Sequence, residues 1–204
     1  MSQEVLEIIK QNTRKSLQMQ LALQCAPLLA GVKMSNLLIV HKDNAEYVRE
    51  LFAETDLCIY ELTQSKEKVT FLLYDEAWLK QYIAETETAR VMQALGYETM
   101  ELEEILPIVA WNYTSYMRRK EEFPHELGLL LGYPAKDVEG FIVNKGENYL
   151  YSGYWKVYGN VKEALKTFEE YTLAKENVIK KIAIGMGILE IFEYYRKRTA
   201  QMAV

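Results

Sequence analysis

The chain has little sulfur chemistry to offer. Its two cysteines, Cys25 and Cys58, lack a CxxC spacing, so neither a zinc ribbon nor a thioredoxin-type dithiol is encoded. Two such thiols are expected to be free, and the cytoplasm is the expected location. Histidine is equally scarce. Zinc held by cysteine and histidine alone would need Cys25, Cys58, His41 and His125 to converge, and their spacing gives no support, so no metal site is expected. Basic residues are outnumbered, 24 Lys and Arg against 29 Asp and Glu, for a net charge of −5. Nucleic-acid binders usually present a basic face, so no nucleic-acid partner is expected. The most apolar late run, IAIGMGILEIF, is too short for a bilayer and contains Glu190. The N-terminal MSQEVLEIIKQNTRK has acids and no apolar signal-peptide core, so no membrane partner is expected either. GxxxxGK[ST], GxSxG and HExxH are missing, and IGMGIL lacks the third glycine and the preceding strand of a dinucleotide fingerprint. No complete catalytic motif is present, and the sequence identifies no particular cofactor.

What is abundant is tyrosine, 15 in 204 residues. Its apolar ring and polar tip suit half-buried walls and interfaces. The length fits a single domain over 1–204, large enough to fold without metal or disulfide.

Along the chain, residues 2–23 read as helix, with uncertain continuity through QNTRKS. Pro27 restricts the backbone after Cys25 and Gly31 ends a short apolar run. LLIVH at 37–41 predicts a buried strand, followed by a helix near 44–54. LCIYELT and VTFLLYD around QSKEK predict a hairpin. The helix between the first two strands favours pairing them in parallel, with the third antiparallel to the second. Helix is expected from Glu76 to Leu95 with a break near Glu85, and from Glu101 to Lys120 with a kink or restart at Pro107. Arg118, Arg119 and Lys120 read as favourable cations at a helix end. A long helix over 161–183 with Asn160 as N-cap, then a last one over 188–198, complete the chain. The fold class is thus α/β, of α+β-like character: predominantly helical, with a small mixed sheet of about three strands near residues 36–74.

Backbone punctuation concentrates in FPHELGLLLGYPAKDVEGFIVNKGENYLYSGYWKVYG, residues 123–159, which holds two of the four prolines and most of the glycines. Pro124 can open a helix and place His125 and Glu126 in its first turn. The helix field there favours a neutral imidazole, usable as a base, hydrogen-bond partner or metal ligand. His125 and Glu126 point in different directions, and a histidine bonded to backbone or to Glu explains the same residues structurally. Gly132-Tyr133-Pro134 ends one helix and begins the next, which carries Asp137 near its start and turns Val138, Phe141 and Ile142 inward; Asn144 and Gly146 fit its C-cap. NYLYSGYWKVYG then alternates aromatics with small or polar residues, either as a stacking wall or as core packing. Cys25 is either a thiolate at a helix start or, more frequently for such a residue, a small buried hydrophobe. His41, at a strand end, is a weaker candidate.

Four runs in this chain resemble a family of bacterial proteins, domain-of-unknown-function family 3793: CAPLLAGVKMSNL at 25–37, FPHELGLLLGYPAKDVEGFI at 123–142, GYWKVYGN at 153–160 and the ALKTFEEY that follows. The similarity extends over nearly the whole chain. In the family a histidine often precedes the cysteine of the first run; Gln24 holds that place here, which removes half of any shared His–Cys metal or redox site. The resemblance implies no activity.

The expected function is a small-ligand-binding or regulatory protein. Its site would lie between His125 and Glu126 and a wall of Tyr133, Asn144, Tyr154, Trp155 and Lys156, facing a small anionic or aromatic ligand. One alternative is an enzyme with His125 as general acid or base and Cys25 as nucleophile. Another is an interaction module whose tyrosines form a partner or homo-oligomer surface.

Overall fold

The structure is a computed structural model that describes residues 1–11, 17–119 and 122–202. Ten helices among these residues surround a small sheet. Helix α1 covers Gln3–Gln11 and α2 Leu17–Leu29; the expected helical continuity through residues 12–16 lies outside the described residues. Helix α2 runs beyond the expected end at residue 23 and carries Pro27 inside it. Its buried face, including Leu21, Ala22, Cys25, Leu28 and Leu29, supplies the tertiary contacts that hold the last turn despite the missing N–H.

Strands β1 (Ser35–His41), β2 (Cys58–Gln64) and β3 (Lys68–Tyr74) form the sheet, with helix α3 (Ala45–Ala53) between β1 and β2. The strand order is β1-β3-β2, and β3 pairs antiparallel with both neighbours. The hairpin of β2 and β3 forms as expected. The expected parallel pairing of the first two strands does not: β1 and β2 run in the same direction, but β3 lies between them, so the sheet is antiparallel rather than mixed. The reason is in β3 itself. Every residue from Val69 to Tyr74 is buried, so this strand gains most from having both edges paired and both faces covered.

The two-residue period of β3 divides the interior. Val69, Phe71 and Leu73 face one core with α2 and Leu38 and Val40 of β1. Leu72 and Tyr74 face a second, built with helices α4 (Glu76–Ala84), α5 (Thr86–Ala94) and α6 (Leu102–Arg119). The break between α4 and α5 falls at Glu85, which is extended at φ −60° and ψ 139°. Helix α6 continues through Pro107 without a restart. Arg118 stands exposed near its C-terminal end; Lys120 lies outside the described residues.

Two short helices follow, α7 (Glu126–Leu130) and α8 (Ala135–Val143), then a small ribbon of β4 (Tyr151–Ser152) and β5 (Lys156–Val157). Helix α9 (Val161–Ala183) is capped by Asn160, whose side-chain oxygen accepts from the Glu163 N–H at 3.2 Å. Its C-terminal half, with Val178 and Ile179, joins the first core together with α10 (Ile188–Met202). Its N-terminal half, with Ala164, Phe168 and Tyr171, packs on Trp155 and Val157 as a third, smaller core. No helix of the described residues is long and apolar enough to cross a membrane.

Candidate functional site

The α7–α8 corner is built by short-range backbone bonding. Leu127 and Gly128 N–H groups donate to the Pro124 and His125 carbonyls at 3.1 and 2.9 Å. Helix α7 then closes on Gly132, at φ +73°, with the Tyr133 N–H donating back to Gly128 at 2.9 Å. That left-handed turn needs glycine and reverses the chain into Pro134, which stands at the N-cap of α8.

Asp137, in the first turn of α8, ties this corner to the aromatic segment. It is 4% exposed. One carboxylate oxygen accepts from the Trp155 indole N–H at 2.7 Å, and the other from the backbone N–H groups of Tyr158 and Gly159, both at 2.8 Å. Three donors on two oxygens satisfy a buried acid without a basic partner. Gly140, one turn later, allows Tyr158 to lie against α8: a Cβ there would come within 2.5 Å of the Tyr158 Cβ. Trp155 so held stacks on Tyr133 with ring centroids 5.3 Å apart and meets Phe168 edge-on at 4.4 Å.

Beside this wall is a cleft of about 110 Å³. His125, Tyr133, Phe141, Trp155 and Lys156 line it, with Phe123, Gly128, Asp137 and Val138. The His125 ring lies 5.7 Å from Phe141 and makes no side-chain cap bond to the helix it precedes. Lys156 donates to the Gly146 carbonyl at 2.6 Å and sits over the Tyr149 ring at 4.8 Å. The cleft is therefore largely aromatic, with one half-buried imidazole at its wall and a cation already engaged.

The remaining candidates lie elsewhere. Glu126 is buried and turned away, accepting from the Tyr97 hydroxyl and the Asn112 side-chain amide, each at 2.9 Å. Burial, and then the adjacent Glu126 charge, push the Tyr97 phenol well above its ordinary range. Asn144 is the C-cap of α8, and its amide donates to the Gly140 carbonyl at 2.8 Å, while Gly146 closes that turn at φ +76°. Tyr154 does not line the cleft; its ring is edge-on to Tyr171 at 5.4 Å and its hydroxyl is bonded to Thr172. His41 is exposed at the end of β1, 3.2 Å from the Asp43 carboxylate.

Cys25 does not sit at a helix start. It lies in the last third of α2, fully buried in the first core, and burial pushes its thiol up to about 12. A helix-start thiolate is thereby corrected to a small buried hydrophobe, and Cys25 is not among the residues around His125. Cys58 is likewise free. Among the described residues no group of His, Cys, Asp and Glu could hold a metal ion.

Asp137, Phe123, Phe141, Val138 and Gly128 complete the cleft and were not singled out from sequence as site residues. Asp137 did leave a signal: an acid next to Val138 and close to Phe141, on the side of the helix that turns inward. The folding grammar of a first-turn acid obscured it.

No curated protein and no solved structure matches the chain. A family model, described as protein of unknown function DUF3793, matches residues 21–192. That span includes most of α2, the sheet, the α7–α8 corner and the aromatic ribbon, so the chain belongs to the DUF3793 family.

Proposed function

We infer that the chain is a cytoplasmic, bacterial small-molecule-binding or regulatory protein, and that the cleft beside His125 is its site. The observation that carries this reading is the convergence of His125, Tyr133, Phe141 and Trp155 on one cleft, with the imidazole not used in capping α7. The ligand favoured is a small, flat, mainly apolar molecule with a polar edge for His125. An apolar cavity of about 150 Å³ accepts benzene, which sets the scale. An anionic ligand is less favoured: Lys156 is bonded to Gly146, and the Leu127 and Gly128 N–H groups in the first turn of α7 are already paired.

Native mass spectrometry of gently purified protein tests the reading. A bound small molecule is expected in the wild type and lost in His125→Ala, with a melting temperature changed by only a degree or two. A large loss of stability with the molecule retained would instead mark His125 as structural.

A second reading, as an interaction module, has its own observation. Trp111 is 71% exposed on α6, near Ile108 at 47%, whereas of the tyrosines only Tyr47, Tyr149 and Tyr151 rank as exposed among the described residues. It predicts self-association or partner capture through α6 rather than through a tyrosine surface. A monomer by light scattering at high concentration counts against the homo-oligomer.

A further inference from the structure

Lys33 lies in the loop between α2 and β1, yet only 7% of it is exposed. Its ammonium nitrogen faces the Tyr171 ring at 5.7 Å and the Tyr133 ring at 5.8 Å. Lys33 also lines a cleft of about 120 Å³ whose other walls include Leu28, Leu29, Leu57, Trp78 and Phe192. Buried lysines normally have a carboxylate partner. Here no carboxylate pairs with Lys33 among the described residues. The groups around it are the Cys25 thiol from α2, the Lys175 ammonium and Tyr171 from α9, and Tyr133 from the α7–α8 corner. The acid in the cleft, Asp75, is engaged by the Trp78 N–H at 3.0 Å and faces Arg196 at 3.6 Å. An amine held this way is relieved of its desolvation penalty by losing its proton, which frees the lone pair.

We propose that Lys33 is a nucleophilic amine that captures a small uncharged aldehyde or ketone as an imine. The amine lone pair attacks the carbonyl carbon and a C–N bond forms. The carbonyl oxygen takes a proton to give a carbinolamine. That hydroxyl then leaves as water, the nitrogen gives up its remaining proton, and a C=N bond results; no oxidant or reductant is consumed. The mainly apolar cleft and its size select a short, uncharged carbonyl compound over a phosphorylated or bulky one. Burial lowers the ammonium to about 8, with Cys25 opposing and Lys175 adding to the effect. Relative to an ordinary surface lysine, that raises the neutral fraction near pH 7.5 by about two orders of magnitude.

The test treats the folded full-length chain with propanal at pH 7.5, traps imines with borohydride, and maps adducts by peptide mass spectrometry. Lys33 is expected to label about tenfold or more faster than exposed Lys66 and Lys162, the lower nucleophilicity of a weaker base offsetting part of the neutral fraction. The bulky, charged aldehyde pyridoxal phosphate should label the surface lysines and spare Lys33. Lys33→Met and Lys33→Arg, each checked for a native circular dichroism spectrum, should lose the fast adduct while the surface pattern persists. Labelling of Lys33 no faster than of Lys66 and Lys162, labelling only after unfolding in urea, or equal labelling by both aldehydes would overturn the proposal.

Discussion

Replacing Asp137 by Asn tests whether one buried acid holds the aromatic ribbon against the α7–α8 corner. The substitution keeps the shape of the side chain. Its carbonyl oxygen can still accept from the Tyr158 and Gly159 N–H groups, now held at 2.8 Å. The other position becomes an NH₂ facing the Trp155 indole N–H, which today donates at 2.7 Å. Two donors then confront each other in a site where the acid is 4% exposed. A hydrogen bond to a charged group contributes about 1.5–3 kcal/mol, and an orphaned buried donor adds a penalty of about 1–3 kcal/mol. Partial relaxation brings the expected loss to about 2–4 kcal/mol. For a chain of this length that lowers the melting temperature by about 4–16 °C. Urea unfolding followed by circular dichroism should show a lower midpoint at an unchanged slope. Trp155→Phe removes the donor from the other side, so the double variant should be less damaged than the sum of the singles by about 1–2 kcal/mol. An Asn variant within about 0.5 kcal/mol of wild type, or strict additivity with Trp155→Phe, would refute the reasoning.

Gly140→Ala should destabilise by about 1–3 kcal/mol in the same urea assay, because Tyr158 is anchored through its N–H to Asp137 and has little freedom to retreat from the new methyl group. A neutral result would mean that Tyr158 moves freely. Lys33 gives a pH signature. Its folded pKa, about 8, lies below the ordinary 10.5, so its charge penalises the fold at neutral pH, where both states are protonated, and that penalty disappears as pH rises between those values. The stability of wild type relative to Lys33→Met should therefore climb by about 3 kcal/mol across that window, the difference cancelling the titration of tyrosines common to both. A flat difference would show that Lys33 keeps an ordinary pKa.

Local chemistry made much of this protein legible in its sequence. The Asn160 cap, the interruption at Glu85, the β2–β3 hairpin and the proline-opened α8 depend on residues within a few positions of one another, and they form where those residues predict. The turns at Gly132 and Gly146 bring neighbouring segments back together, so that His125, Tyr133, Trp155 and Lys156 share one cleft while Glu126, Asn144 and Tyr154 do not line it. The strand order, by contrast, was set by burial: β3 is covered on both faces, so it takes the centre and separates β1 from β2, a competition that pairwise crossover rules do not weigh. The fate of isolated polar residues was also a tertiary matter. Glu126 turns toward Tyr97 and Asn112, Asp137 toward Trp155, and Lys33 into an aromatic pocket without a carboxylate. Each is chosen by partners distant along the chain, since a buried polar group must be satisfied by whatever packs around it rather than by its neighbours in sequence.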